Sequence, residues 1–278
     1  MGTSNSFRGS GGKVAQNLRD QVAAWLDADS NEPALADQTT DVAPPSNGQP
    51  APGMPISHAP TVDLRPALGL LLRRSASDGP SGGAGGGGSG ASGIGRSRGG
   101  AQRSARASAS AAARAGSLAY AYRTGDRQTL ADAGLNYDEL RRAGSPIAIV
   151  RQIVKAVMGQ VPDGTIGQDE RIELTGRVAE WTLTEGVAGG EPPAPEDIAR
   201  FSIAQMIEMT HMTESSTELY LKGASNAQIA KYESDVHEMA MSLAEQAKLT
   251  TAGASAREIE GAIASGLKFL RRVLGRRK

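Results

Sequence analysis

The chain has no cysteine, few aromatic residues (three Phe, two Trp and five Tyr in 278) and no unbroken apolar run of about 18 residues, the length a membrane span needs. Without cysteine there are no disulfides and no thiolate chemistry, which fits a reducing compartment. Without a long apolar run, and without a charged-then-apolar pattern at its start, the chain is expected to be a soluble, cytoplasmic protein. No stretch alternates apolar and polar residues as a half-buried strand does, so the expected fold class is mainly α. The patterns of catalysis are missing too. There is no Gly-x-Ser-x-Gly, and no histidine has a credible Ser and Asp partner set. Serines crowd the linker-like stretches, which cannot hold a reacting geometry. Residues 79–100 hold twelve glycines but lack the preceding strand and the Gly-Lys-Ser/Thr ending of a phosphate loop. They read as a spacer. Neither an enzymatic activity nor a cofactor is expected.

What is present is segregated charge. Lys plus Arg and Asp plus Glu balance at 30 each. Yet residues 94–123 carry six cations and no anion, and residues 124–249 carry 11 cations against 20 anions. Residues 250–278 return to seven cations against two anions. An acidic body is flanked by basic segments. Either the flanks lie on the body, or they bind a polyanion. Arg96, Arg98, Arg103, Arg106 and Arg114 are the candidate phosphate contacts, with the tail 268–278 beside them, although no aromatic platform for bases accompanies them.

The chain divides into four parts. Residues 1–12 hold one large apolar side chain, Phe7, among small and polar ones, too little to offset the entropy of ordering, so they should form a flexible arm. Residues 13–28 place Val14, Leu18, Val22, Trp25 and Leu26 on one face of a short helix. Such a helix is marginal alone and should become stable when that face meets a partner or the helical body. Residues 29–100 read as a largely disordered Pro/Gly-rich linker, with eight of the fourteen prolines between 30 and 66. The island Leu68-Gly-Leu70-Leu71-Leu72 within it is either a docking segment or one helical turn.

Residues 101–278 should be an α-helical domain. The alanine- and arginine-rich stretch 101–123 favours a helix whose small side chains admit a close neighbour. Ser145-Pro146 starts another, with Ile147, Val150, Ile153 and Val157 in its stripe. Leu174, Val178 and Trp181 mark the next. Pro195 with Glu196 and Asp197 opens one more, the acids suiting the positive end of a helix dipole. From Asn226 onward, Ile229, Tyr232, Val236, Met239 and Leu243 follow the 3-4 spacing of bundled helices. Ser255-x-x-Glu258 is a capping box before a last amphipathic helix. Short loops imply antiparallel neighbours. Attachment of that basic last helix to a membrane surface is not expected, because it lacks interfacial Trp.

Two local patterns bear on chemistry. Glu208-x-x-His211 has the spacing of a di-metal bundle motif, but the second copy fails, since Ser234 stands three residues before His237 and Glu233 four. A helix-surface histidine beside a glutamate is the better account, and no metal site is expected. Gly2, with Ser6 behind it, satisfies the N-myristoylation pattern. Physically this is an unhindered amine on a slender chain once Met1 is removed, suited to threading into another protein's slot; the plain alternative is a frayed terminus.

Met1-Gly2-Thr3-Ser4 with Ser6, the glycines at 9, 11 and 12, Trp25-Leu26-Asp27 and the passage Gly95-Arg96…Arg98-Gly99-Gly100-Ala101…Arg103 resemble the QatB family, a component of bacterial Qat anti-phage systems. The resemblance implies a QueC-like partner enzyme, a P-loop ATPase and a TatD-like nuclease. It also implies that the Gly2 amine receives a 7-deazaguanine-type group while Thr3, Ser4, Asn5 and Ser6 contact the partner's slot. In that reading the face Val14, Leu18, Val22, Trp25 and Leu26 docks beside the slot. A linker of ~70 residues would let the tip reach about 45 Å from the body. The alternative is an adaptor that tethers partners to nucleic acid through 94–114 and 268–278.

Overall fold

Eight consecutive residues, Phe201 to Glu208, are buried. The helix carrying them has no solvent face over two turns and must lie inside the molecule. In the computed structural model, which describes residues 13–30, 62–71, 100–159, 166–185, 190–250 and 253–274, that helix is the longest of ten among the described residues. In chain order they are α1 (Lys13–Ser30), α2 (Arg65–Leu71), α3 (Gly100–Thr124), α4 (Arg127–Asp132) and α5 (Tyr137–Ala143). Then follow α6 (Pro146–Met158), α7 (Ile166–Thr184), α8 (Pro195–Leu221), α9 (Asn226–Glu245) and α10 (Ala256–Leu274). No strand occurs among the described residues, and the mainly α class holds. None of the described helices is long and apolar enough to cross a membrane.

α8 packs against α1, α2, α3, α7, α9 and α10. The other principal helix of the core, α3, lies along α7 and α10 and also meets α6. The alanines explain the second role. Ala112, Ala113, Ala115 and Ala119 are fully buried, and Ile198 of α8 sits where a side chain on Gly116 would be. Small residues let these helix axes approach closely, so the core gains from what α3 lacks.

The helix starts follow their local chemistry. Asp126 caps α4 through Thr129 N–H, and Asn136 caps α5 through the N–H groups of Asp138 and Glu139. Pro146 and Pro195 occupy first turns as read from the sequence. α9 starts at Asn226, as read from the sequence, behind a full capping box between Ser225 and Gln228. The Ser255–Glu258 box is also formed: Ser255 N–H donates to Glu258 Oε2 (3.3 Å), and Glu258 N–H donates to Ser255 Oγ (3.4 Å).

Two boundaries need correction. The sequence sets α1 apart as a short helix that needs a partner or the body, and places α2 in the linker as an island that docks or makes one helical turn; both pack on α8 and on each other. The cause is burial: Leu18, Val22, Trp25 and Leu26 from α1 join Val62, Leu64, Ala67, Leu68, Leu70 and Leu71 in the same core as α3 and α8. Apolar islands flanked by proline and glycine still bury apolar surface at about 25 cal/mol per Å², enough to hold a short helix against a ready-made surface.

Candidate functional site

The sequence left two outcomes for the apolar face of α1, and the structure holds the second, in which the helical body covers it. Leu18 and Val22 are fully buried, with Trp25 and Leu26 nearly so. Four docked side chains of this size contribute roughly 2 kcal/mol each. This corrects the assignment of Leu18, Val22, Trp25 and Leu26 as partner contacts, because a partner cannot reach them while α1 stays docked. The side chain of Val14 lies outside the described residues.

Polar contacts fix the register of this docking. The Trp25 indole N–H donates to Asp235 Oδ2 on α9 (3.0 Å), and its ring meets that of Tyr232 edge-on at 5.0 Å. One turn further, Lys231 Nζ donates to Asp29 Oδ1 (2.6 Å) and Gln228 Nε2 donates to Asp29 Oδ2 (3.3 Å). The Lys231 bond, helped by Gln228, holds the Asp29 carboxyl below the ordinary carboxylate range.

Beneath α1 lies a buried polar pair. His211 Nε2 and Tyr232 Oη are 2.6 Å apart, and no solvent reaches the imidazole. The expected helix-surface histidine is thus corrected. His211 is on the face of α8 that packs against its neighbours, and its i+4 hydroxyl, Ser215 Oγ, returns to the His211 carbonyl (2.8 Å). Burial drives the His211 pKa down to about 4, opposed weakly by Asp63, and drives the Tyr232 phenol up. The imidazole is therefore neutral at pH 7, and its Nδ1 has no partner among the described residues.

Glu208 turns the other way. Its carboxylate accepts from Arg177 of α7 (2.8 Å) and from Gln205 (2.9 Å), and meets His237 Nδ1 of α9 at 2.7 Å. It therefore pairs with the second histidine rather than with His211, and the hub ties α7, α8 and α9 together. No group of three or more His, Cys, Asp or Glu side chains among the described residues is placed to hold a metal ion. The sequence pattern offered Glu208 and His211 as one unit; the helix separates them into two networks.

The arginines proposed as phosphate contacts differ among themselves. Arg106 is exposed. Arg114 donates to the carbonyl of Val157 (3.4 Å), so part of its donor capacity is used inside the fold. Arg123, not singled out from the sequence, spans three carbonyls: it donates to Thr182 O (3.2 Å), Glu191 O (2.7 Å) and Glu185 O. It thereby ties the end of α7 to the start of the segment leading into α8. Five donors in a fixed fork suit it to this task. Arg96 and Arg98 lie outside the described residues, as does the Arg103 side chain, and so do Gly2, Thr3, Ser4, Asn5, Ser6 and His58.

One groove of about 700 Å³ opens between α7, α9 and the start of α8. Its apolar part includes Trp181 and Phe201, stacked at 4.5 Å and 8°, with Pro192, Pro193 and Met241. Glu185, Glu191, Asp197 and Glu245 stand on its rim, and Arg200 is paired with Asp197 (2.9 Å). Trp181 marks α7 in the sequence together with Leu174 and Val178, but a stripe by itself does not tell a core position from a groove floor.

Compared with known proteins, the chain has no match to a family model, to a curated protein or to a solved structure.

Proposed function

We propose that the chain is a non-enzymatic component of an anti-phage defence system, as its likeness to the QatB family suggests. Its N-terminal arm is bound by a QueC-like partner enzyme and modified at Gly2 with a 7-deazaguanine-type group. The observation that supports this reading is the docking of α1. The helix begins at Lys13, directly after the arm, and is fastened to the body through Trp25–Asp235 and Asp29–Lys231.

In this reading the arm is presented from a fixed point on a helical platform. The slack tether of ~70 residues gives way to the twelve-residue arm itself, which spans at most about 40 Å when extended. Thr3, Ser4, Asn5 and Ser6 offer small hydroxyl, amide and backbone groups to a narrow slot. The platform engages the remaining partners, a P-loop ATPase and a TatD-like nuclease, through its outer surfaces. The alternative, an adaptor on nucleic acid, is the weaker reading, since Arg114 donates to a carbonyl within the fold.

The deciding measurement is the intact mass of the protein purified after co-expression with its neighbouring gene products. An adduct located at Gly2, lost together with phage resistance in Gly2→Pro, is the expected result. An unmodified terminus combined with full resistance in Gly2→Pro removes the arm from the function.

A further inference from the structure

The groove beside Trp181 is apolar in its floor and anionic on its rim. Glu185, Glu191 and Glu245 form no ion pair with a cation among the described residues, while Asp197 has Arg200. Its wall is held in place, because the Arg123 guanidinium binds the carbonyls of both Glu185 and Glu191. A flat, cation-bearing group is the chemistry that suits such a place. Guanidinium stacks on an indole face and pairs with carboxylates at its edges.

The chain supplies a segment of that chemistry: Arg96, Arg98, Arg103 and Arg106, with no acid among residues 94–123. The segment cannot reach the groove of its own molecule. Arg123 touches the groove wall, and Arg106 lies 17 positions earlier on the same helix, about 25 Å away along its axis. Arg96 and Arg98 precede the helix start at Gly100 by four residues at most, a reach of about 14 Å. The groove lies about 35 Å from that start.

We infer that the groove lined by Trp181, Phe201, Glu185, Glu191 and Glu245 binds the Arg96–Arg106 segment of a second copy of this chain. The basic end of α3 in one molecule seats at the acidic end of α3 in the next. Contact of one patch with a different patch is head-to-tail, so it adds copies until a ring closes or a filament grows. The C-terminal cations are a poorer occupant. Leu274 lines a separate groove with Met239, Leu243 and Gln246, on a different side of α9 from Met241 and Glu245.

The test is sedimentation velocity on the full, nuclease-treated chain at about 50 mM and about 500 mM salt, where screening lengths differ roughly threefold. Species larger than a monomer at low salt that dissolve at high salt are expected. Two variants separate the surfaces: Glu185→Gln with Glu191→Gln and Glu245→Gln, and Arg96→Ala with Arg98→Ala, Arg103→Ala and Arg106→Ala. Each alone should be monomeric with an unchanged helical circular dichroism spectrum. Mixed in equal amounts, they should form a dimer and nothing larger, because one intact groove meets one intact segment. As a check that does not depend on assembly, a peptide of residues 94–108 should quench Trp fluorescence of the arginine-less chain, and less so after Trp181→Phe. A monomeric parent at low salt, assembly that survives in either variant, or a mixture that stays monomeric overturns the inference. So does assembly that vanishes on nuclease treatment, which would place nucleic acid on the arginines, or on deletion of 275–278.

Discussion

Trp25 and Asp235 are 210 positions apart and share a hydrogen bond of 3.0 Å, so the first helix of the chain is fastened to the ninth. The contact has two separable parts. Trp25→Phe keeps most of the ring against Tyr232 and removes the N–H, at a cost of about 1.5–3 kcal/mol for a bond to a charged acceptor. Trp25→Ala removes the ring as well and should cost about 3–5 kcal/mol. Hydrogen exchange locates the effect: amides of residues 16–29 should lose protection first, well before those of α10. Equal loss across both helices would mean that α1 is not a separately opening unit.

Arg123 makes a second long-range tie, across the carbonyls of Thr182, Glu185 and Glu191. Arg123→Lys keeps the charge and the stem but cannot span three acceptors with one ammonium. Thermal unfolding should reveal a loss of about 1–2 kcal/mol. Faster amide exchange should be confined to the end of α7 and the start of α8. A lysine variant as protected as the parent would show that charge alone suffices there.

A helix that carries its own signals is legible in the sequence, whereas burial decided by distant residues is not. Ser255 and Glu258 announce their capping box within four residues, and the alanines of α3 announce a close neighbour. Leu18, Val22, Trp25 and Leu26 were legible as a face, but nothing local says whether that face meets a partner or the body. Leu68, Leu70 and Leu71 of α2 were legible as an apolar island, whereas its flank, with Val62 and Leu64, was hidden by prolines that dominate the composition around it. α4 and α5 are a single turn or two each, too short for periodicity to register, although Asp126 and Asn136 were readable as caps. His211 was misplaced because a failed metal spacing says nothing about burial, and the covering Tyr232 is 21 positions away. The groove of Trp181 and Phe201 joins three helices and has no linear signature at all.

Gly116 and Gly261 sit inside helices and should respond to alanine in opposite ways. At Gly116 the new methyl would fall on Ile198 Cγ2, whose branched carbon is itself fixed against α3. Overpacking of about 1–3 kcal/mol should exceed the helix propensity gained, roughly 1 kcal/mol, so Gly116→Ala is destabilising. At Gly261 nothing lies near the added carbon, and only the propensity remains. Gly261→Ala should stabilise by about 0.5–1 kcal/mol. Denaturant midpoints of the two variants give the comparison, and a stabilising Gly116→Ala would show that the α3–α8 contact yields easily.

Acid should loosen the fold through His211. Its folded pKa of about 4 lies below the ordinary value of 6.5, because the buried imidazole resists charging. Depression of a base means that the unfolded chain takes up the proton first. The stability tied to this residue is complete above pH 6.5 and is lost as pH falls from there towards 4. A gap of that size corresponds to about 3 kcal/mol. His211→Gln keeps a hydrogen-bonding group for the Tyr232 hydroxyl but does not titrate. Urea unfolding at closely spaced pH values should therefore show a steeper decline for the parent than for the variant between pH 6.5 and 4. Asp29 and Asp126, both held below 3.8, act at still lower pH and are common to both proteins, so they cancel in the difference. Parallel curves through the upper window would mean that His211 is solvated in the native protein, and that the covering by α1 and Tyr232 opens readily.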